Sequence, residues 1–159
     1  MIEIRPMTAD DWPAVESIYA DGIATRGATF ETEPPDHAAF DASHLSEHRF
    51  VAVEKGRILG WVALAPTSSR ACYAGVAENS VYVAESARGR GVGRALMEAV
   101  LDSARAGGIW TIHAGMFPEN AASVALHESL GFRFVGRFER IAQLDGVWRD
   151  TILLELRLP

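Results

Sequence analysis

The stretch from Asn79 to Gly107, NSVYVAESARGRGVGRALMEAVLDSARAG, constrains the fold more than any other. Ser80-Val81-Tyr82-Val83 is β-branched and aromatic, as a strand requires. Arg88-Gly89-Arg90-Gly91-Val92-Gly93 follows at once, and Val92, Leu96, Ala99, Val100 and Ser103 then fall on one helical stripe that Gly107-Gly108 stops. A glycine loop that opens a helix leaves backbone N–H groups unpaired at the positive end of the helix dipole, which suits phosphate oxygens. Side chains at the glycines would hold the anion away from the backbone.

Three phosphate loops compete for this stretch. A Walker loop ends in Gly-Lys-Ser/Thr, whereas Gly93 precedes Arg94-Ala95. A dinucleotide fingerprint needs a third glycine where Arg94 stands, and an acidic residue closing a second strand about 20 residues later, which is missing. The pattern Arg-x-x-Gly-x-Gly after a strand is met by Arg88, Gly91 and Gly93, although an ordinary strand-to-helix turn would use the same residues. With these residues the chain resembles the GNAT superfamily of N-acetyltransferases, in which this loop grips the pyrophosphate of acetyl-CoA. The resemblance implies cofactor-binding roles for Arg88, Gly89, Arg90, Gly91, Val92, Gly93 and Arg94.

The remaining chain is that of a soluble globular protein, and 159 residues fit a single domain with a real core. A net charge of −6 argues against nucleic acid as the main partner. Apolar runs are too short to span a bilayer, and the acidic N-terminus has no signal-peptide core. A single cysteine, Cys72, suits a reducing cytoplasm.

In order, Ile2–Arg5 reads as a strand ended by Pro6. Thr8-x-x-Asp11 caps a helix with Pro13 in its first turn and a Val15, Ile18, Tyr19, Ile23 stripe that Gly22 and Gly27 weaken. A proline-stiffened loop follows from Ala28 to Pro35, then a helix from Asp36 to about His48. Strands at Phe50–Val53 and Ile58–Leu64 join through a hairpin at Glu54-Lys55-Gly56-Arg57, and a longer strand spans Tyr73–Val83. After the glycine-loop helix come a strand at Trp110–Gly115, a helix at Ala121–Leu130, and a pair at Phe132–Phe138 and Val147–Leu156 turned by Asp145-Gly146. The order β-α-α-β-β-β-α-β-α-β-β predicts an α+β fold, a mainly antiparallel sheet of seven strands with four helices on both sides.

Asn120, Ser123 and His127 share one face of the second helix after the loop, and with Gly131-Phe132 resemble the second acetyl-CoA motif of GNAT proteins. Five segments are similar to the phosphinothricin and methionine sulfoximine N-acetyltransferase subfamily: Thr29–Pro34, Gly60-Trp61, Glu78–Val83, Ala125–Phe132 and Gly146–Asp150. That resemblance implies a homodimer that acetylates the α-amine of small amino-acid analogues in a cleft between splayed central strands, with no metal. One departure touches substrate choice. Thr67 and Ser68 stand where the subfamily carries a tryptophan and a basic residue, leaving Arg70 alone of that clamp, which puts phosphinothricin itself in doubt.

An α-ammonium must lose a proton before it attacks a thioester. The resemblance implies Glu78 as the base, through water, and His127 as the donor to the departing thiolate, since histidine titrates near neutrality. Asn120 and Ser123 join the cofactor set, and the backbone of Val81, Tyr82 and Val83 would serve the oxyanion and the pantetheine amides. Phe30, Glu31, Arg70 and Tyr73 would line the amine pocket, a basic group there holding a carboxylate.

Three other features carry less. His44-Leu45-Ser46-Glu47-His48 matches a zinc-protease string without a third ligand nearby, Cys72 lies in a polar connection, and the four tryptophans read as core and dimer contacts. Two rival functions stay open: acetylation of a peptide N-terminus or another metabolite amine, and a non-catalytic acyl-CoA-binding regulator.

Overall fold

A computed structural model describes residues 1–159. One seven-stranded sheet runs through it, built from β1 (Glu3–Pro6), β2 (Arg49–Glu54), β3 (Arg57–Pro66), β4 (Val76–Val83), β5 (Thr111–Met116), β6 (Arg133–Leu144) and β7 (Val147–Arg157). The spatial order is β1-β2-β3-β4-β5-β7-β6. Only β4 and β5 are parallel, because the chain must cross over the sheet through α3 (Val92–Ala106) to pass between them. The β2–β3 and β6–β7 hairpins close on Lys55-Gly56 and Asp145-Gly146, each a pair of positive-φ residues.

Helices cover both faces. Alternation along β4 sends Ala77, Asn79 and Val81 toward α3 and Glu78, Ser80 and Tyr82 to the other face. On the first face α3 buries Val92, Leu96, Met97, Val100, Leu101 and Ala104, and α4 (Ala121–Ser129) adds Val124 and Leu126. Each large side chain so buried stabilises the fold by about 1.5–3 kcal/mol. The buried stripe of α3 is rotated from the expected one, with Ala99 and Ser103 at its margin.

The opposite face carries α1 (Trp12–Ala24) and α2 (His37–Ser43) over an aromatic cluster of Trp12, Tyr19, Phe40, Trp61 and Tyr82. Gly22 does not weaken α1; the helix continues through it. A Cβ at Gly22 would lie 2.6 Å from the Tyr82 ring, so the residue permits the helix to pass the strand.

Several expected boundaries move. The second helix ends at Ser43 rather than near His48, because His44 turns extended and donates from Nδ1 to Phe40 O. Tyr73 belongs to a 3-10 turn at Ala71–Tyr73 that precedes β4. The final hairpin is longer than its apolar pattern predicts: β6 runs on to Leu144 through mostly exposed residues, held by pairing with β7.

Candidate active site

The parallel ladder between β4 and β5 is short. It pairs Val76 with Thr111, Ala77 with Ile112 and Glu78 with His113, and stops. Beyond that point β4 stays bound to β3 as far as Val83, while β5 follows β7 to Met116. The two strands therefore part at the centre of the sheet. The edge of Ser80–Val83 toward β5 faces the gap, where the backbone of Val81, Tyr82 and Val83 was expected to serve a ligand.

The glycine loop lies at the far end of β4. Gly89 and Gly91 have φ of 76° and 79°, and a Cβ at either would meet no atom within 4 Å, so backbone conformation rather than crowding calls for glycine. The first helical bond of α3 is Ala95 N–H to Gly91 O at 3.0 Å. The amides of Gly89, Arg90, Gly91, Val92, Gly93 and Arg94 donate to no protein group. Six consecutive free donors at the N-terminus of a fifteen-residue helix form a cradle for phosphate oxygens. Arg90 is bound to Glu54 at 2.8 Å, and Arg94 to Glu98 and Ser129 at 2.9 Å each. Arg88 has no carboxylate partner and is the free cation of the loop.

The motif on α4 serves the helix as well as the gap. Asn120 caps it, its side chain accepting from Ser123 N–H. His127 is 2% exposed. Its Nδ1–H donates to Ser123 O at 2.7 Å, and Nε2 accepts from Asn79 Nδ2 at 3.1 Å. Burial pushes the imidazole below its ordinary pKa, against the Ser123 carbonyl. Both ring nitrogens are engaged, and the ring lies under α4 against Phe132 rather than on an open polar stripe. Asn79 is buried beside the ring. Its buried Oδ1 has no partner.

Glu78 projects from the other side of β4, at the last rung before the strands part. Its side chain reaches solvent, while partial burial raises its pKa and His113 opposes the rise. His113 donates from Nε2 to Glu155 at 2.8 Å, and Arg133 holds the other Glu155 oxygen at 2.7 Å. Sequence reading passed over His113 and Glu155; the only signal was a titratable residue amid the apolar runs Ile112–Ala114 and Ile152–Leu156.

The connection between α1 and α2 spans the mouth of the gap. On the β5 side Phe30 packs edge-on against Phe117 at 4.9 Å, and Arg149 covers Phe117 at 3.9 Å. On the β4 side stands Tyr82, whose phenol is shifted upward by burial and stacks on Trp61. The charge of Glu31 is felt by Tyr19 and Tyr82. Arg70 and Tyr73 are not brought to this group; both are exposed in the β3–β4 connection and stack on each other at 5.5 Å.

The histidines of the zinc-protease string part company. His48 donates to Ser103 Oγ at 2.7 Å, far from the Phe40 carbonyl that His44 engages. Trp12 and Trp61 are core, whereas Trp110 and Trp148 are exposed.

Known proteins share this fold. The chain matches the model of the Acetyltransferase (GNAT) family over residues 8–132. It is 31% identical to an L-methionine sulfoximine/L-methionine sulfone acetyltransferase of Pseudomonas paraeruginosa, across 98% of this chain and 94% of that protein. A phosphinothricin acetyltransferase from Sinorhizobium meliloti, solved with acetyl-CoA, superposes with a TM-score of 0.90 at 28% identity, covering 99% of this chain and 88% of that one. A ribosomal-protein-alanine N-acetyltransferase from Brucella melitensis gives 0.88 at 30% identity, over 98% and 99%.

Proposed function

This chain belongs to the GNAT family of acetyltransferases and uses acetyl-CoA, and we propose that its acceptor is the α-amine of a small amino-acid analogue of the methionine sulfoximine, methionine sulfone or phosphinothricin type. One observation carries the reading. A single ionisable carboxylate, Glu78, stands where β4 and β5 part, on the strand that leads into a loop of free amides.

Acetyl-CoA supplies an acetyl group already activated as a thioester, so the protein needs to bind it, bring an amine beside it and take one proton. The amides of Gly89–Arg94 fit the pyrophosphate, with Arg88 as countercharge, and the exposed edge of Val81–Val83 fits the pantetheine arm. Asn120 and Ser123 support that arm through α4. Glu78 accepts the ammonium proton, directly or through one water, its raised pKa bringing it closer to the amine. The free amine then attacks the thioester carbonyl, and the C–S bond breaks as the nitrogen's surplus proton passes to the departing thiolate. We read His127 as a neutral clasp on Asn79 that fixes α4 against β4, in place of the proton-donor role. Phe30 and Glu31 close the amine pocket over Tyr82, while Arg70 and Tyr73, exposed in the β3–β4 connection, stand outside it.

Thiol release from acetyl-CoA against a panel of amines tests the reading. Rapid release with the sulfoximine or sulfone and slow release with phosphinothricin supports it and ties the thinner clamp at Thr67 and Ser68 to substrate choice. Release with peptides alone moves the acceptor to a protein N-terminus. Binding of acetyl-CoA without release from any amine favours a non-catalytic regulator.

The wider assignment is a single-domain cytoplasmic homodimer. No helix is long and apolar enough to cross a membrane. Phe134, Phe138, Ile141, Val147 and Trp148 lie exposed on the β6–β7 hairpin, and this apolar surface supports pairing of two copies there. Light scattering tests it: a monomer mass at micromolar concentration removes the dimer.

A further inference from the structure

One row of charge crosses the sheet on the face that carries Tyr82. Glu78 of β4 is in register with His113 of β5, His113 with Glu155 of β7, and Glu155 with Arg133 of β6. The far end is tightly bound: His113 Nε2–H to one Glu155 oxygen at 2.8 Å, Arg133 to the other at 2.7 Å. His113 is half-buried and is the sole ionisable side chain on β5. Its near neighbour on the parallel strand is Glu78, at the last rung before the gap.

We propose that His113, braced by Glu155 and Arg133, is a positioning residue that sets the ionisation of Glu78 and thereby the lowest pH at which acetyl transfer runs. The inference rests on the reading of Glu78 as the base. The groups around Glu78 are few. From β3 its partner is Ala65, which carries no charge, and from β5 it is His113. Beyond His113 stand Glu155 and Arg133. The α1–α2 connection brings Glu31 toward Tyr19 and Tyr82, and the β3–β4 connection carries Arg70 and Tyr73, stacked on each other. The charge that acts on Glu78 against its burial is that of His113.

The sign follows. A carboxylate works as a base only when ionised. Burial favours its neutral form, and an imidazolium alongside favours the anion. Glu155 offers the imidazolium a charge-assisted bond, and Arg133 offsets the negative charge that Glu155 would otherwise add to the row. A cation at His113 beside Glu78 favours the carboxylate, and so extends the working range downward.

The test compares wild type, His113→Asn and His113→Lys by the pH dependence of kcat/KM for the amine, and by carboxyl NMR titration of Glu78 in the same proteins. The asparagine variant should move the acid limb upward by about one pH unit, with roughly tenfold lower kcat/KM on the acid side. The lysine variant, with a fixed cation beside Glu155, should keep the limb at or below that of wild type. A role confined to packing would lower all pH values alike and leave the three limbs coincident, which overturns the proposal. Should the variants fold poorly, the wild type alone decides. Coupled groups each show an inflection at the other's transition, and independent single-step titrations of His113 and Glu78 would refute the pairing. An unshifted kinetic limb with a displaced Glu78 titration would instead remove Glu78 as base, so the two failures are separable.

Discussion

Asn79 Nδ2 donates to His127 Nε2 at 3.1 Å, tying β4 to α4 one residue beyond the point where β4 leaves β5. The bond lies beneath the gap and joins its strand wall to the helix whose cap is Asn120. Because His127 Nδ1–H is already committed to Ser123 O, the tautomer is fixed and Nε2 accepts.

Asn79→Ala should therefore leave His127 Nε2 buried without a donor. Such an orphan costs about 1–3 kcal/mol. Urea denaturation should show that loss, accompanied by weaker acetyl-CoA binding; unchanged stability would mean that the bond contributes nothing.

The role of His127 is separable by pH. Burial holds its pKa below the ordinary histidine value, so an imidazolium able to donate would vanish on the alkaline side. With the ring acting as a neutral clasp, kcat should persist from pH 7 to 8.5. A kcat that falls away already on the acid side, before pH has risen to about 6.5, would support His127 as the acid.

Glu78→Gln keeps the shape of the side chain and removes the base. Loss of a general base lowers turnover by roughly 10²–10⁴-fold. The KM for acetyl-CoA should stay near that of wild type, since Glu78 faces away from the glycine loop. Thiol release under saturating amine measures both, and a kcat within a few-fold of wild type would exclude Glu78.

The glycine loop yields a contrast of two arginines. Arg88→Ala should weaken acetyl-CoA binding and flatten its salt dependence, because Arg88 is not engaged by a carboxylate. Arg90→Ala should do less, since Arg90 is already paired with Glu54. Gly91→Ala forces an L-residue to φ 79°, worth about 1–2 kcal/mol, and should reduce affinity through strain in the cradle. Calorimetric titration with acetyl-CoA ranks the three.

Acid stability should fall early. His44, His48 and His127 all have pKa values lowered mainly by burial. The unfolded chain takes up their protons as pH drops through about 6.5, and the native state does not until lower pH. Their contribution is thus complete above about 6.5 and lost below it. Glu78, with its raised value, acts in the opposite sense but is one group against three. Tm should decline between pH 7 and 5.5, before the paired carboxylates Asp11 and Glu155 begin to protonate. A flat Tm over that interval would contradict this.

Local chemistry was legible in the residues themselves. Two-residue turns fixed both hairpins, a period of 3.6 marked α3, and the glycine spacing marked the loop of free amides, because each is settled by neighbours in the chain. The resemblance carried Glu78 to the same strand as the cradle. What no spacing could supply was where strands part and which side chains meet across them. The gap exists because β5 leaves β4 for β7, a choice of partners made between residues tens of positions apart. The same topology sets His113 between Glu78 and Glu155, lowers His127 out of solvent onto Asn79, and leaves Arg70 and Tyr73 outside the group around Phe30. Burial and long-range pairing decide those positions, and both belong to the folded chain alone.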